Sequence, residues 1–145
     1  MVASRHTLDK AGQKTRQHIT EDADLLGAVR LPAGAMRADA GTEVVLDLLV
    51  FRKRMIGDLP GDQGWLETGT VPDSDEGRGP LSINRYFLDN PAQVLGRHGW
   101  AGSQFGLDYS CLPVLGVDLE TALPQALARI APESRFLPAV EQRIT

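Results

Sequence analysis

The longest apolar run in the chain is Val44-Val45-Leu46 followed by Leu48-Leu49-Val50-Phe51, broken only by Asp47. It predicts a strand over residues 43–52 covered on both faces. A shorter apolar run over residues 25–31 predicts a second strand. Pro32 ends it, because proline has no amide to give a ladder and disfavours helix at the residue before it. Ala33-Gly34-Ala35 is too small and flexible to be a core element. Upstream, Val2 and Ala3 read as the end of a strand that runs into a helix, with Asp9 as its N-cap. Ala11, Thr15, Ile19 and Ala23 recur at helical spacing, predicting an amphipathic helix over residues 10–23 with a narrow apolar stripe. Gly12 costs that helix about 1 kcal/mol relative to alanine.

The widest helical stripe lies near the end, where Leu119, Ala122, Leu123, Ala126, Leu127 and Ile130 share one face and need a partner surface. Pro124 implies that this helix either starts near Thr121 or kinks, and Pro132 stops it. Between the two halves, residues 55–80 are rich in Gly, Pro, Asp and Ser and read as a linker or irregular excursion, with a possible short strand at residues 65–68. Ser82 reads as the cap of a helix over residues 83–88, ended by Pro91. Trp100, Phe105 and Tyr109 thread a glycine-rich region. With basic residues scarce there, they read as packing anchors rather than as a base-stacking platform.

Composition narrows the function classes. In 145 residues, 42% are hydrophobic and 23% charged, enough for one modest core. Lys+Arg 15 against Asp+Glu 19 leaves a net charge of -4, which excludes a global basic field for nucleic acid, so any such contact is local. The single cysteine, Cys111, has no disulfide partner, which favours a reducing cytoplasm and a buried structural thiol. No apolar run is long enough for a membrane span or signal peptide. His6, His18 and His98 lack the spacing of a zinc site, and no nucleotide cradle or activated-serine motif occurs. Asp47 needs a partner, because an unpaired buried carboxylate costs several kcal/mol. The expected partner is a loop amide or an arginine, with a catalytic carboxylate as the alternative. Arg52-Lys53-Arg54 reads as a solvated strand end or as a phosphate clamp.

Several segments together carry a resemblance. The run from Ser4 to Lys10, Leu26-Gly27-Ala28-Val29-Arg30-Leu31-Pro32, Ala40-Gly41-Thr42-Glu43-Val44 and Asp47-Leu48-Leu49-Val50-Phe51-Arg52-Lys53 resemble the C-terminal part of an adenine-N6 DNA methyltransferase domain. More narrowly, they are similar to the large methylase-helicase proteins of phages, plasmids and mobile elements. There a segment like residues 83–96 and a helix like residues 118–130 bridge the methylase to the helicase. The resemblance implies an α/β fold: residues 1–54 as the incomplete distal edge of a Rossmann-like methyltransferase sheet, 55–81 as a linker, 82–132 as the connecting segment and 133–145 as a tail. It also implies S-adenosylmethionine chemistry on an adenine flipped out of DNA. The family's glycine-rich cofactor loop and Asn/Asp-Pro-Pro-aromatic tetrad do not occur in this sequence. The chain alone is therefore expected to hold no cofactor and to be inactive, with DNA, an upstream methylase half and a downstream helicase as partners and the cytoplasm as compartment; the alternative is a noncatalytic module that docks on DNA or on a partner protein. Met36 falls where the family commonly carries an aromatic side chain against the flipped base, and methionine cannot form a flat stack. Arg5, Arg30 and Arg37 are the candidate contacts to the DNA backbone.

Overall fold

The computed structural model describes residues 1–35, 44–71, 81–103 and 106–130. The first sheet contains β1 (Val2–Ser4), β2 (Ala23–Arg30) and β3 (Leu46–Lys53) in the order β1-β3-β2. Both pairings are antiparallel, so β1 and β2 run in the same direction on either side of β3. Between β1 and β2 the chain crosses over through α1 (His6–Asp9) and α2 (Lys14–Ile19). Of the helix expected over residues 10–23 only α2 forms: Lys10, with an extended backbone, separates it from α1, and Ala23 already belongs to β2. Its stripe of Ala and Thr buries too little apolar surface to hold one continuous helix together.

A 3-10 turn over Gly64–Leu66 leads into β4 (Thr68–Thr70), which pairs antiparallel with β5 (Ser82–Asn84). Next come α3 (Arg85–Asp89) and a 3-10 turn over Pro91–Gln93. Ser82 is therefore a strand residue. The cap of α3 is Asn84, whose side-chain oxygen accepts the Tyr86 amide at 2.8 Å. The glycine-rich region forms a hairpin of β6 (Arg97–Ser103) and β7 (Gly106–Leu112). α4 (Leu119–Ile130) starts two residues before the Thr121 expected from Pro124. The Asp118 carboxylate accepts the Glu120 amide and the Thr121 hydroxyl, both at 3.1 Å, and this secures the first turn. Pro124 sits on the exposed side of the helix.

The period of two along β2 and β3 separates their side chains onto two covered faces, as expected for β3. On one face Val29, Leu31, Leu48 and Val50 pack against Leu119, Ala122, Leu123, Ala126 and Ile130 of α4. Gly27 permits this close approach, since a Cβ there would come within 2.7 Å of the Ile130 side chain. On the other face, Leu8, Ala28 and Leu49 join Trp65, Ile83, Phe87, Tyr109 and Cys111 in the main core. Trp65, from the stretch read as a linker, is buried in that core.

The architecture is therefore mixed α/β, with small antiparallel sheets and a C-terminal helix.

Candidate functional site

Arg30 and Asp47 are directly opposite each other on β2 and β3, and both side chains point into the main core. The Arg30 Nε and Nη2 donate to the two Asp47 oxygens at 2.8 Å each. α1 brings Asp9 to the other side of the guanidinium, where Nη1 and Nη2 donate to it at 2.8 and 3.0 Å. The side chains of all three residues are within 1% of full burial. Arg5 also donates to Asp9 at 3.2 Å, so two arginines balance two carboxylates within the cluster. Phe87 and Tyr109 cover the guanidinium of Arg30 at 4.6 and 5.3 Å from their ring centroids.

Burial alone would lower the basicity of Arg30, but the hydrogen bonds and charges of Asp47 and Asp9 hold it well above its ordinary value. For Asp47, burial pushes the carboxyl up and Arg30 offsets only part of this. The pair persists because the fork geometry fills the acceptor sites of both acids. Asn84 completes the set. Its backbone amide donates to Asp9 at 2.9 Å, and its side-chain amide donates to the carbonyls of Leu8 and Trp65. One polar network thereby fastens β2, β3, α1 and β5 together.

The hairpin is attached through the same region. Tyr109 on β7 bonds to His98 on β6, with 2.7 Å between Oη and Nδ1. Burial, followed by the charge of Arg30, lowers the pKa of His98. Burial raises Tyr109 above its ordinary value. It also pushes the Cys111 thiol up to about 12, in keeping with the structural thiol expected from the sequence. The Cys111 carbonyl accepts the Ala33 amide at 2.7 Å, which ties β7 to the loop after β2. That loop, residues 32–35, forms one wall of an open cleft of about 230 Å³, with Leu95, Pro113, Val114, Val117 and Leu119 opposite.

The candidate arginines separate sharply. Arg30, expected to contact the DNA backbone, is instead closed off from solvent, with Asp9 and Asp47 engaging its guanidinium. The cross-strand register places it opposite Asp47, and burial there makes the ion pair obligatory. Arg5 retains 13% of its side-chain exposure; it bonds to Asp9 and Asp108 and lies over the Tyr109 ring at 5.0 Å. Met36 and Arg37 lie outside the described residues. Asp9 is not an N-cap but the last residue of α1 and the hub of the buried network. Arg16 went unnoticed in the sequence. It is fully buried and donates to the carbonyls of Leu66 and Thr7, and only its apolar neighbour Ile19 hinted at an inward face.

Among the described residues, no group of three or more His, Cys, Asp or Glu side chains is placed to hold a metal ion. No described helix is long and apolar enough to cross a membrane. No protein-family model, curated protein or solved structure matches the chain.

Proposed function

We propose that this chain is the distal, DNA-facing portion of an S-adenosylmethionine-dependent adenine-N6 DNA methyltransferase, inactive alone and completed by a separate methylase half. The observation that carries the reading is the order β1-β3-β2, with β1 and β2 parallel and the antiparallel β3 between them. The crossover through α1 and α2 is of the kind that joins parallel strands in α/β sheets. β1 is an edge strand. The backbone of Met1 bonds to Leu49 of β3 and the Arg5 amide to the carbonyl of Val45 just before it, so alternation turns the amides of Val2 and Ser4 to the outer edge, where a further strand can add. This reading makes the three strands the distal edge of a Rossmann-like sheet whose remaining strands belong to the other half.

The cleft lies past the carboxyl end of β2, the end at which α/β sheets receive ligands. Its nine described lining residues carry no ionisable or hydroxyl side chain. The donor and the residues that hold the adenine amine come from the methylase half, and a helicase follows in the complete cytoplasmic assembly. Without both reactants positioned, no methyl transfer proceeds.

The test is co-expression with the product of the reading frame immediately upstream. The two are expected to copurify and to transfer labelled methyl groups to adenine in DNA together, while neither does so alone. Calorimetry of this chain with S-adenosylmethionine is expected to give no binding tighter than millimolar. Submillimolar binding by the chain alone, or an upstream frame lacking the glycine-rich loop and the Pro-Pro tetrad, overturns the reading.

A further inference from the structure

Among the described residues, β6 and β7 pair only with each other, in a two-stranded sheet of their own. The hold of the hairpin on the rest of the molecule is therefore concentrated in a few contacts. Tyr109 and Cys111 of β7 are buried in the main core, and Trp100 of β6 packs against it. The Cys111 carbonyl accepts the Ala33 amide at 2.7 Å, and Ala33 belongs to the wall of the apolar cleft. Among these contacts is the 2.7 Å bond between Tyr109 Oη and His98 Nδ1, made by a half-buried imidazole directly across the hairpin from Cys111.

The surroundings of the phenol set the direction of that bond. Arg30 reaches the Tyr109 oxygen as a donor, and its guanidinium carbon is 5.3 Å from the ring centroid. Four hydrogen bonds of the guanidinium go to Asp9 and Asp47, which leaves one N–H for that oxygen. The Cys111 thiol, kept protonated by burial, is the second donor within reach. With both lone pairs of its oxygen facing donors, Tyr109 gives its own hydrogen to His98 Nδ1. The imidazole is then neutral, with its hydrogen on Nε2. The charges packed around it are Arg30 on β2 and Asp9 on α1, while Asp108 on β7 is engaged by Arg5.

We propose that the Tyr109–His98 bond is an acid-sensitive latch: protonation of His98 releases the β6–β7 hairpin from the core and, through the Ala33–Cys111 bond, loosens the wall of the cleft. A proton on Nδ1 turns the acceptor into a donor, so two hydrogens face each other and the phenol hydrogen loses its partner. It also adds a positive charge next to the buried Arg30. Burial, and then Arg30, keep the folded His98 below its ordinary 6.5, whereas an opened hairpin returns the ring to water and to that value. The latch is therefore fully held above pH 6.5 and is lost as the pH falls through the lower, folded value. Only the hairpin and the loop need move, because β2 and β3 keep their own ladder and the Arg30–Asp47 pair. The latch uses only contacts within this chain and is independent of the methyltransferase reading.

Cys111 is the single cysteine, so its labelling by dithiodipyridine, which reacts down to acid pH, reads the opening of the hairpin in the full chain. Protection is the labelling rate of the urea-unfolded chain divided by that of the folded chain at the same pH. From about pH 7 to about pH 5 it is expected to fall about fivefold, the worth of one hydrogen bond. The fall should be insensitive to urea well below the unfolding transition, which marks local opening. The Ala33 amide should lose exchange protection over the same range. His98→Gln supplies an acceptor that does not titrate, so its protection should hold in acid. Tyr109→Phe keeps the ring and should label at neutral pH as fast as the wild type does in acid. Labelling that rises with urea as global unfolding does, an equal loss of protection in His98→Gln, or wild-type protection in Tyr109→Phe overturns the latch. An Ala33 amide that stays protected while Cys111 opens overturns its link to the cleft.

Discussion

The Arg30 cluster and the turn at residues 55–59 place polar and apolar side chains in opposite senses. Arg30, Asp9 and Asp47 lie inside the core, whereas Met55, Ile56 and Leu59 stand in solvent. In the first region every charged atom has found a partner, and neighbouring elements supply them: a cross-strand aspartate, a helix-end aspartate and two aromatic faces. In the second, the backbone is satisfied within the turn while the side chains have nothing to cover them. Burial in this protein thus follows where the fold supplies partners, more than residue type.

The comparison is tested most severely at Arg30. Arg30→Met removes the shared cation and leaves two buried carboxylates, with an expected loss of about 3–5 kcal/mol in urea unfolding. That is a large part of the stability of an ordinary domain. Adding Asp47→Leu and Asp9→Asn removes the stranded charge while keeping an acceptor for the Asn84 amide, and should recover about 2 kcal/mol or more. A triple variant as unstable as Arg30→Met would show that packing rather than charge governs the cluster.

A smaller effect is expected at His98. Its folded pKa lies below the ordinary 6.5 because burial, and then the Arg30 guanidinium, disfavour the charged ring. As the pH falls through that value, the unfolded chain takes up the proton before the folded chain does, so the stability contributed by neutral His98 is lost. Wild-type stability should therefore fall between about pH 7 and pH 5. His98→Gln should fall less steeply over the same range, as measured by thermal melts at fixed ionic strength; parallel curves would show that His98 does not report on the cluster. The smallest effect is expected at the turn. Ile56→Ser should change folding stability by no more than about 0.5 kcal/mol, and a larger loss would mean that the turn is part of the core.

The long periodic segments were readable in the chain. The apolar run around Leu46 and Leu49 and the stripe from Leu119 to Ile130 emerged as β3 and α4 because each repeats its pattern over enough residues to identify the period. Asp47 was legible as a residue in need of a partner, and an arginine is what it received. The β6–β7 hairpin was not legible, because its glycines conceal the alternation that marks a strand. Ser82 and Asn84 are both good caps and both pair with β4, but only Asn84 directly precedes the first residue of α3, so its side chain takes the capping role. Trp65 fell in a polar, glycine-rich stretch, so only the assembled core revealed that it is buried.

The sequence by itself determined the α/β character, the two longest core elements, the structural thiol and the obligation on Asp47, because these depend on local period and on the cost of burying a group. Tertiary structure decided which arginine met that obligation and which remained at the surface. Arg30 and Arg52 look alike as residues in strands. The β2–β3 register sends one into the core between Asp47 and Asp9 and leaves the other beside an exposed turn. Contacts between residues 17 or more positions apart carry no signature in the local pattern.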